Sequence, residues 1–133
     1  MQNSFHLSFC LFVLGLVSIA GCSSEPKQYV VSGEVTYKGQ PVAQGDIVFA
    51  DAKGGTAATA AGKIKDGRYQ VRILPGDKKV RITSTKETGK MLEGAMGAKY
   101  PERVDLIPAK YNSATTLTRT ITPESGAIDF RLE

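Results

Sequence analysis

Lys63-Ile-Lys-Asp-Gly-Arg-Tyr-Gln-Val-Arg-Ile73 alternates polar and apolar residues on both sides of Asp66-Gly67. Asp-Gly between alternating runs is a strong hairpin signal, because a two-residue type I′ turn needs φ > 0 at both central positions. Such a turn pairs Lys65 with Arg68 and Ile64 with Tyr69. Ile64, Tyr69, Val71 and Ile73 then share one face, while Lys63, Lys65, Arg68, Gln70 and Arg72 share the other. A slip of one residue would turn every apolar side chain outward, so the two runs check each other's register. Upstream, Ala58, Ala60 and Gly62 continue the small apolar series against Thr59 and Ala61.

The same period of two recurs along the chain, and no helical stripe interrupts it. Val31, Gly33, Val35 and Tyr37 take one face, with Ser32, Glu34 and Thr36 on the other. Beyond Lys38-Gly-Gln-Pro41 comes Asp46-Ile-Val-Phe49, which places Ile47 and Phe49 together. Pro75-Gly76 suits the centre of a type II turn. Val80 and Ile82 then alternate with Lys79, Arg81 and Thr83. Thr116 to Thr122 is rich in β-branched residues, and Ile128-Asp-Phe-Arg-Leu132 alternates cleanly. About seven short strands separated by turn residues predict an all-β, immunoglobulin-like antiparallel β-sandwich.

Several of these segments resemble carboxypeptidase regulatory-like domains of transthyretin-like fold. Val31-Ser-Gly-Glu-Val35, Gly39-Gln-Pro-Val42 and Val48-Phe49 match the strand, turn and strand of that family's first hairpin. Lys65-Asp-Gly-Arg-Tyr-Gln-Val71 matches its Asp-Gly-x-Tyr hairpin, and Leu74-Pro-Gly76 the turn after it. Ile107-Pro-Ala-Lys-Tyr-Asn112 and the final Asp129-Phe-Arg-Leu132 resemble small bacterial lipoproteins that carry this domain alone. The shared motifs are turn glycines and core aromatics, so they imply fold rather than activity.

The N-terminus implies export. Leu7 to Ala20 is almost wholly apolar, and as a helix it would be about 21 Å long, short of a hydrocarbon core of about 30 Å. Such a run followed by small residues reads as a cleaved secretory signal. Ile19-Ala-Gly-Cys22 resembles the lipobox of bacterial lipoproteins, which implies lipidation of Cys22. Residues 1–6 carry no Lys or Arg, a departure from the usual signal. The expected organisation is a signal peptide at 1–21, a lipidated Cys and short tether at 22–28, and a sandwich at 29–133. The membrane would be the first partner, through two or three acyl chains that hold firmly. Ser23 after the lipidated position leans towards the outer membrane of the cell envelope, by the sorting rule of the best-known systems.

Cleavage would remove Cys10 and His6, and lipid would occupy Cys22, leaving no free thiol and no imidazole. Ser-His-Asp and Cys-His arrangements are then excluded, as are zinc sites built on His or Cys. The expectation is a protein without catalytic activity or cofactor. Hydrolases of transthyretin-like fold rely on histidines and a Tyr-Arg-Gly-Ser tail, whereas this chain ends Phe130-Arg-Leu-Glu133. Ser84 and Lys86 would suit a Ser-Lys dyad by type only; they read as a strand end. An intramolecular isopeptide bond fits poorly, since Lys38 follows a turn and Asn112 and Asp129 alternate outward.

A side-chain charge of +4 carried wholly after residue 21 points to acidic surfaces met outside the cytoplasm: anionic lipid, a glycan or an anionic cell-wall polymer, with an envelope protein as a further expected partner. Nucleic acid is not an expected partner. Two regions are candidates for recognition. Lys63, Lys65, Arg68 and Arg72 form a basic hairpin face, which Lys79 and Arg81 would extend; the plain alternative is a solvated face that discourages edge pairing. Lys86–Thr115 reads as a long loop, in which Tyr100, Arg103, Lys110 and Tyr111 line a surface, or Leu106, Ile107 and Tyr111 close the sandwich as a lid.

Overall fold

The computed structural model describes residues 26–54 and 59–133. The expected signal peptide, Cys22, the tether up to Glu25 and Ala58 lie outside the described residues. Ten strands follow in chain order: β1 Tyr29–Tyr37, β2 Gln40–Pro41, β3 Gln44–Asp51, β4 Ala60–Lys65, β5 Arg68–Ile73, β6 Gly76–Thr83, β7 Thr85–Glu93, β8 Lys99–Asp105, β9 Thr118–Ile121 and β10 Phe130–Leu132. Two single 3₁₀ turns, Ala95–Gly97 and Ala109–Tyr111, complete the regular structure of the described residues.

Seven strands form one path through the main sheet, in the order β10-β1-β5-β4-β3-β6-β9, with β2 added to the end of β1. The β4–β5 turn forms as its sequence requires: Asp66 and Gly67 sit at φ 49° and 77°, and Lys65 opposes Arg68. That is the one ladder pair between β4 and β5, and the sheet bends there. Phe49 on β3, Tyr69 on β5 and Phe130 on β10 show how far. Their ring centroids are 6.0 to 6.1 Å apart. In a flat sheet β3 and β10, four strands apart at about 4.8 Å per step, would be roughly 19 Å distant. The sheet has therefore curled over itself, with β10, β1 and β5 in one wall and β4, β3, β6 and β9 in the other. This is the expected all-β sandwich, closed along one side.

The core fills the space between the walls. Val31, Val35, Ile47, Phe49, Ile64, Tyr69, Val71, Ile73, Val80, Ile82, Ile121, Phe130 and Leu132 are all buried, and each belongs to the inward face of a strand. Tyr69 keeps its hydroxyl satisfied by donating to the carbonyl of Ile128 at 2.7 Å. Burial, aided by the nearby Asp129 carboxylate, pushes its ionisation well above the ordinary tyrosine range. Lys78 is also buried on the inward face of β6, and its ammonium lies 3.7 Å from the Asp51 carboxylate of β3. Gly33 is required for a different reason: a Cβ there would collide with the carbonyl oxygen of Ile128, where the chain leading into β10 runs against β1.

Two features differ from the sequence reading, and a third goes beyond it. β10 runs parallel to β1, pairing Val35 with Phe130 and Tyr37 with Leu132, whereas every other strand pair is antiparallel. Leu74-Pro75 does not close a hairpin between neighbours. It carries the chain from β5 in one wall to β6 in the other, which pairs with β3 and β9. The segment read as a long loop contains a second hairpin, β7–β8, which forms its own two-stranded sheet.

The strand directions fix where that hairpin stands. β1, β4 and β6 run the same way, since each pair is separated by antiparallel neighbours. Tyr29, at the start of β1, thus lies at one end of the sandwich, and Thr83, at the end of β6, at the other. β7 leaves from that second end.

Candidate functional site

The far end of the sandwich is built by the base of the β7–β8 hairpin resting on the rims of β3 and β4. Three contacts set it. The Ser84 hydroxyl donates to the Gln44 carbonyl at 2.6 Å. The Leu106 amide donates to the Ser84 carbonyl at 2.8 Å, which joins the two hairpin legs at the base. Gly45 lets β3 approach β6 closely, because a Cβ there would meet the Thr83 carbonyl. Ser84 is buried and its proton is engaged by a backbone carbonyl, so it is held as a clamp between strands.

Between the hairpin base and the β3–β4 rim lies a cleft of about 610 Å³. Gln44, Asp46, Lys63 and Lys65 supply one wall, and Thr85, Lys86, Glu87 and Arg103 the other. Two of its four cations are paired. The Lys63 ammonium meets the Asp46 carboxylate, and Arg103 donates to Glu87 Oε1 from Nε at 3.2 Å and from Nη2 at 2.8 Å. Lys65 and Lys86, one on each wall, have no carboxylate within 4.0 Å among the described residues. The cleft therefore carries two uncommitted ammonium groups beside two neutralised pairs.

A second groove, about 360 Å³, opens on the other side of Ser84–Lys86. It is apolar, and Tyr37, Pro41, Val42, Leu106 and Ile107 line it. Beyond both grooves the hairpin stands free. Every residue of β7 is exposed, and Met91, Leu92, Met96, Tyr100 and Val104 leave large apolar side chains in solvent, Met96 completely.

The residues suggested by sequence are distributed unequally over this geometry. Lys63, Lys65 and Arg103 meet in the cleft, which joins the basic hairpin face to the segment read as a loop. Arg68 lies past the β4–β5 turn, with Nε 3.5 Å from Glu34, and Arg72 stands beside Val30 on β1. Lys79 and Arg81 do not extend the patch across a neighbouring strand. They lie on β6 beyond β3, against Ala50 and Val48. Tyr100 opposes Leu92 within the free hairpin. Tyr111 packs at the edge of the core, and its hydroxyl donates to the Glu133 carbonyl at 3.0 Å. The Glu133 amide donates to the same hydroxyl oxygen at 3.0 Å, and that bond, with the Lys110 ammonium 4.8 Å over the ring, holds its ionisation below the ordinary tyrosine value. Of the lid residues, Ile107 is buried and Leu106 remains half-exposed.

Sequence reasoning missed Gln44, Asp46 and Glu87 as cleft residues. It noted Lys86 only as a partner for Ser84. All four lie at strand ends whose apposition depends on how β7 folds back. Among the described residues no group of three or more Asp, Glu, His or Cys side chains is arranged to hold a metal ion.

No family model matches the chain, and no curated protein matches it. Among solved structures, 80% of this chain aligns with 16% of the 9R-lipoxygenase from Cyanothece PCC8801, at 11% identity and a TM-score of 0.40.

Proposed function

We propose that this chain is a lipid-anchored, non-catalytic interaction module of the bacterial cell envelope, built on a sandwich of the carboxypeptidase regulatory-like kind. One observation carries the reading. The exposed hairpin and both grooves lie at the end of the sandwich opposite Tyr29. If Cys22 holds lipid and residues 23–28 form the tether, the membrane adjoins the Tyr29 end. The nine residues of β1, at about 3.3 Å each, place the far end roughly 30 Å beyond. A surface so placed faces away from the anchoring leaflet, towards whatever lies across from it. Residues 23–133 contain neither His nor Cys, and the hydroxyl of Ser84 is committed to the backbone, which supports presentation rather than catalysis.

Photo-crosslinking in intact cells tests this. A crosslinker at Met96 should give discrete adducts, while one at Arg81 on the flank of the sandwich should not. Cys22→Ala should shift the protein from the detergent phase to the aqueous phase and abolish the Met96 adducts. Adducts from Arg81 alone, or a wild-type chain that partitions into the aqueous phase, would refute the reading.

A further inference from the structure

We infer that the cleft between the β3–β4 rim and the β7–β8 base is a binding site for an anionic sugar chain, with Lys65 and Lys86 as its charge-recognising residues. The inference deepens the interaction role proposed above by naming the chemistry of a ligand.

The argument begins with the charge distribution. Elsewhere cations sit beside an acid, as Arg68 does beside Glu34, or share one strand, as Lys79 and Arg81 do on β6. In the cleft, cations come from two separate elements and face a shared space. Asp46 and Glu87 do not cancel the free pair, because Lys63 and Arg103 already hold them. An anion entering between Lys65 and Lys86 therefore meets two ammonium groups without displacing an existing ion pair. Each wall is also fixed: Lys65 by the hydrogen-bonded end of β4, and Lys86 by the Ser84 clamp two residues before it.

The remaining groups argue for a polyhydroxylated ligand. Gln44, Thr83 and Thr85 add an amide and two hydroxyls to the lining, groups that both donate and accept hydrogen bonds. A peptide with apolar side chains between its charges would find no pocket for them, because Ile64 is the cleft's single large apolar residue and is itself fully buried. The volume, about 610 Å³, falls within the range of small-molecule sites and suits a short segment of a longer chain lying through an open cleft. Recognition would be of carboxylate or phosphate groups on the sugar, which bind ammonium alike.

The test uses the full-length chain purified in detergent, so it reports on the cleft whatever becomes of the anchoring proposal. Binding is measured by calorimetry to oligogalacturonate, to a sugar-phosphate oligomer, to methyl-esterified galacturonan and to poly-glutamate. At least one anionic sugar should bind, the esterified one should not, and the preferred anion identifies the group recognised. Lys65→Ala and Lys86→Ala should each weaken binding about tenfold, as expected for losing a hydrogen bond to a charged group. Lys79→Ala with Arg81→Ala removes twice the charge of either single substitution, from another face, and should change affinity less than about twofold. No binding to either anionic sugar, equal loss in the control pair, or poly-glutamate binding as tight as the sugars would each overturn the inference.

Discussion

The two hairpins of this molecule, β4–β5 and β7–β8, use similar local chemistry and end in opposite circumstances. Each is antiparallel, has glycine with positive φ at its tip and carries lysines along its strands. β5 buries every second residue, Tyr69, Val71 and Ile73. β7 buries none. The first is an internal part of the sheet, and its turn is pinned by hydrogen bonds from Asp66 to Ala43 and from Gly67 to Val42. The second is held at its base and is otherwise supported by its own ladder, with a register shift between Glu87 and Met91. An isolated two-stranded hairpin is marginal in water. Thus one hairpin belongs to the cooperative core, while the other is free to adapt to a partner.

Mutations should separate the two regions, and the largest effect belongs to the core. Ile64→Ala should destabilise the protein by about 2–5 kcal/mol, the cost of a buried aliphatic truncation, whereas Leu92→Ala on β7 should stay within about 0.5 kcal/mol. Urea unfolding of both variants checks the contrast; equal losses would place the second hairpin in the core.

Glycine at the tips gives a smaller contrast. Gly67 and Gly97 have nearly equal φ values, 77° and 76°. A Cβ at Gly67 would lie 2.8 Å from the Pro41 side chain, while one at Gly97 meets nothing within 4 Å. Gly97→Ala should cost only the left-handed conformation, about 1 kcal/mol, and largely within the hairpin. Gly67→Ala should cost more and lower the global midpoint. Hydrogen exchange would show whether the Gly97 effect stays local.

A pH experiment sharpens the comparison further. Tyr69 is neutral in the folded state well above pH 10, where an unfolded tyrosine begins to ionise. The unfolded state then binds fewer protons than the folded one, so stability falls as pH rises past about 10. Tyr69→Phe should remove that slope and cost about 1 kcal/mol at neutral pH for the lost hydrogen bond to Ile128. Tyr100→Phe, on the exposed hairpin, should change stability at neutral pH by less than about 0.5 kcal/mol.

The smallest effects concern the surface pairs. Asp46→Asn removes the partner of Lys63, whose side chain is 78% exposed; stability should change by less than about 1 kcal/mol in a thermal melt.

The core hairpin was legible because alternation and turn chemistry agreed: Asp66-Gly67 set the register, and Ile64, Tyr69, Val71 and Ile73 set the buried face. The sandwich followed from repeating that pattern in β1, β3 and β6. β7 was not legible, because its strand conformation has no apolar period to announce it; Thr85-Lys-Glu-Thr-Gly-Lys90 reads as loop. For the same reason the cleft was seen in halves. Lys63, Lys65 and Arg103 were visible as cations, but their convergence depends on the Ser84–Gln44 clamp and on the close approach at Gly45, neither of which has a local signature. The parallel direction of β10 was equally hidden, since alternation within a strand carries no information about the direction of its neighbour.

That last strand bears on how the molecule comes to exist. Phe130 completes the ring cluster with Phe49 and Tyr69, and it pairs with Val35, 95 residues earlier in the chain. Closing so long a loop comes late and at an entropic cost, and no shorter length of chain can seal the core. A nascent chain would stay open until residue 130 had been made.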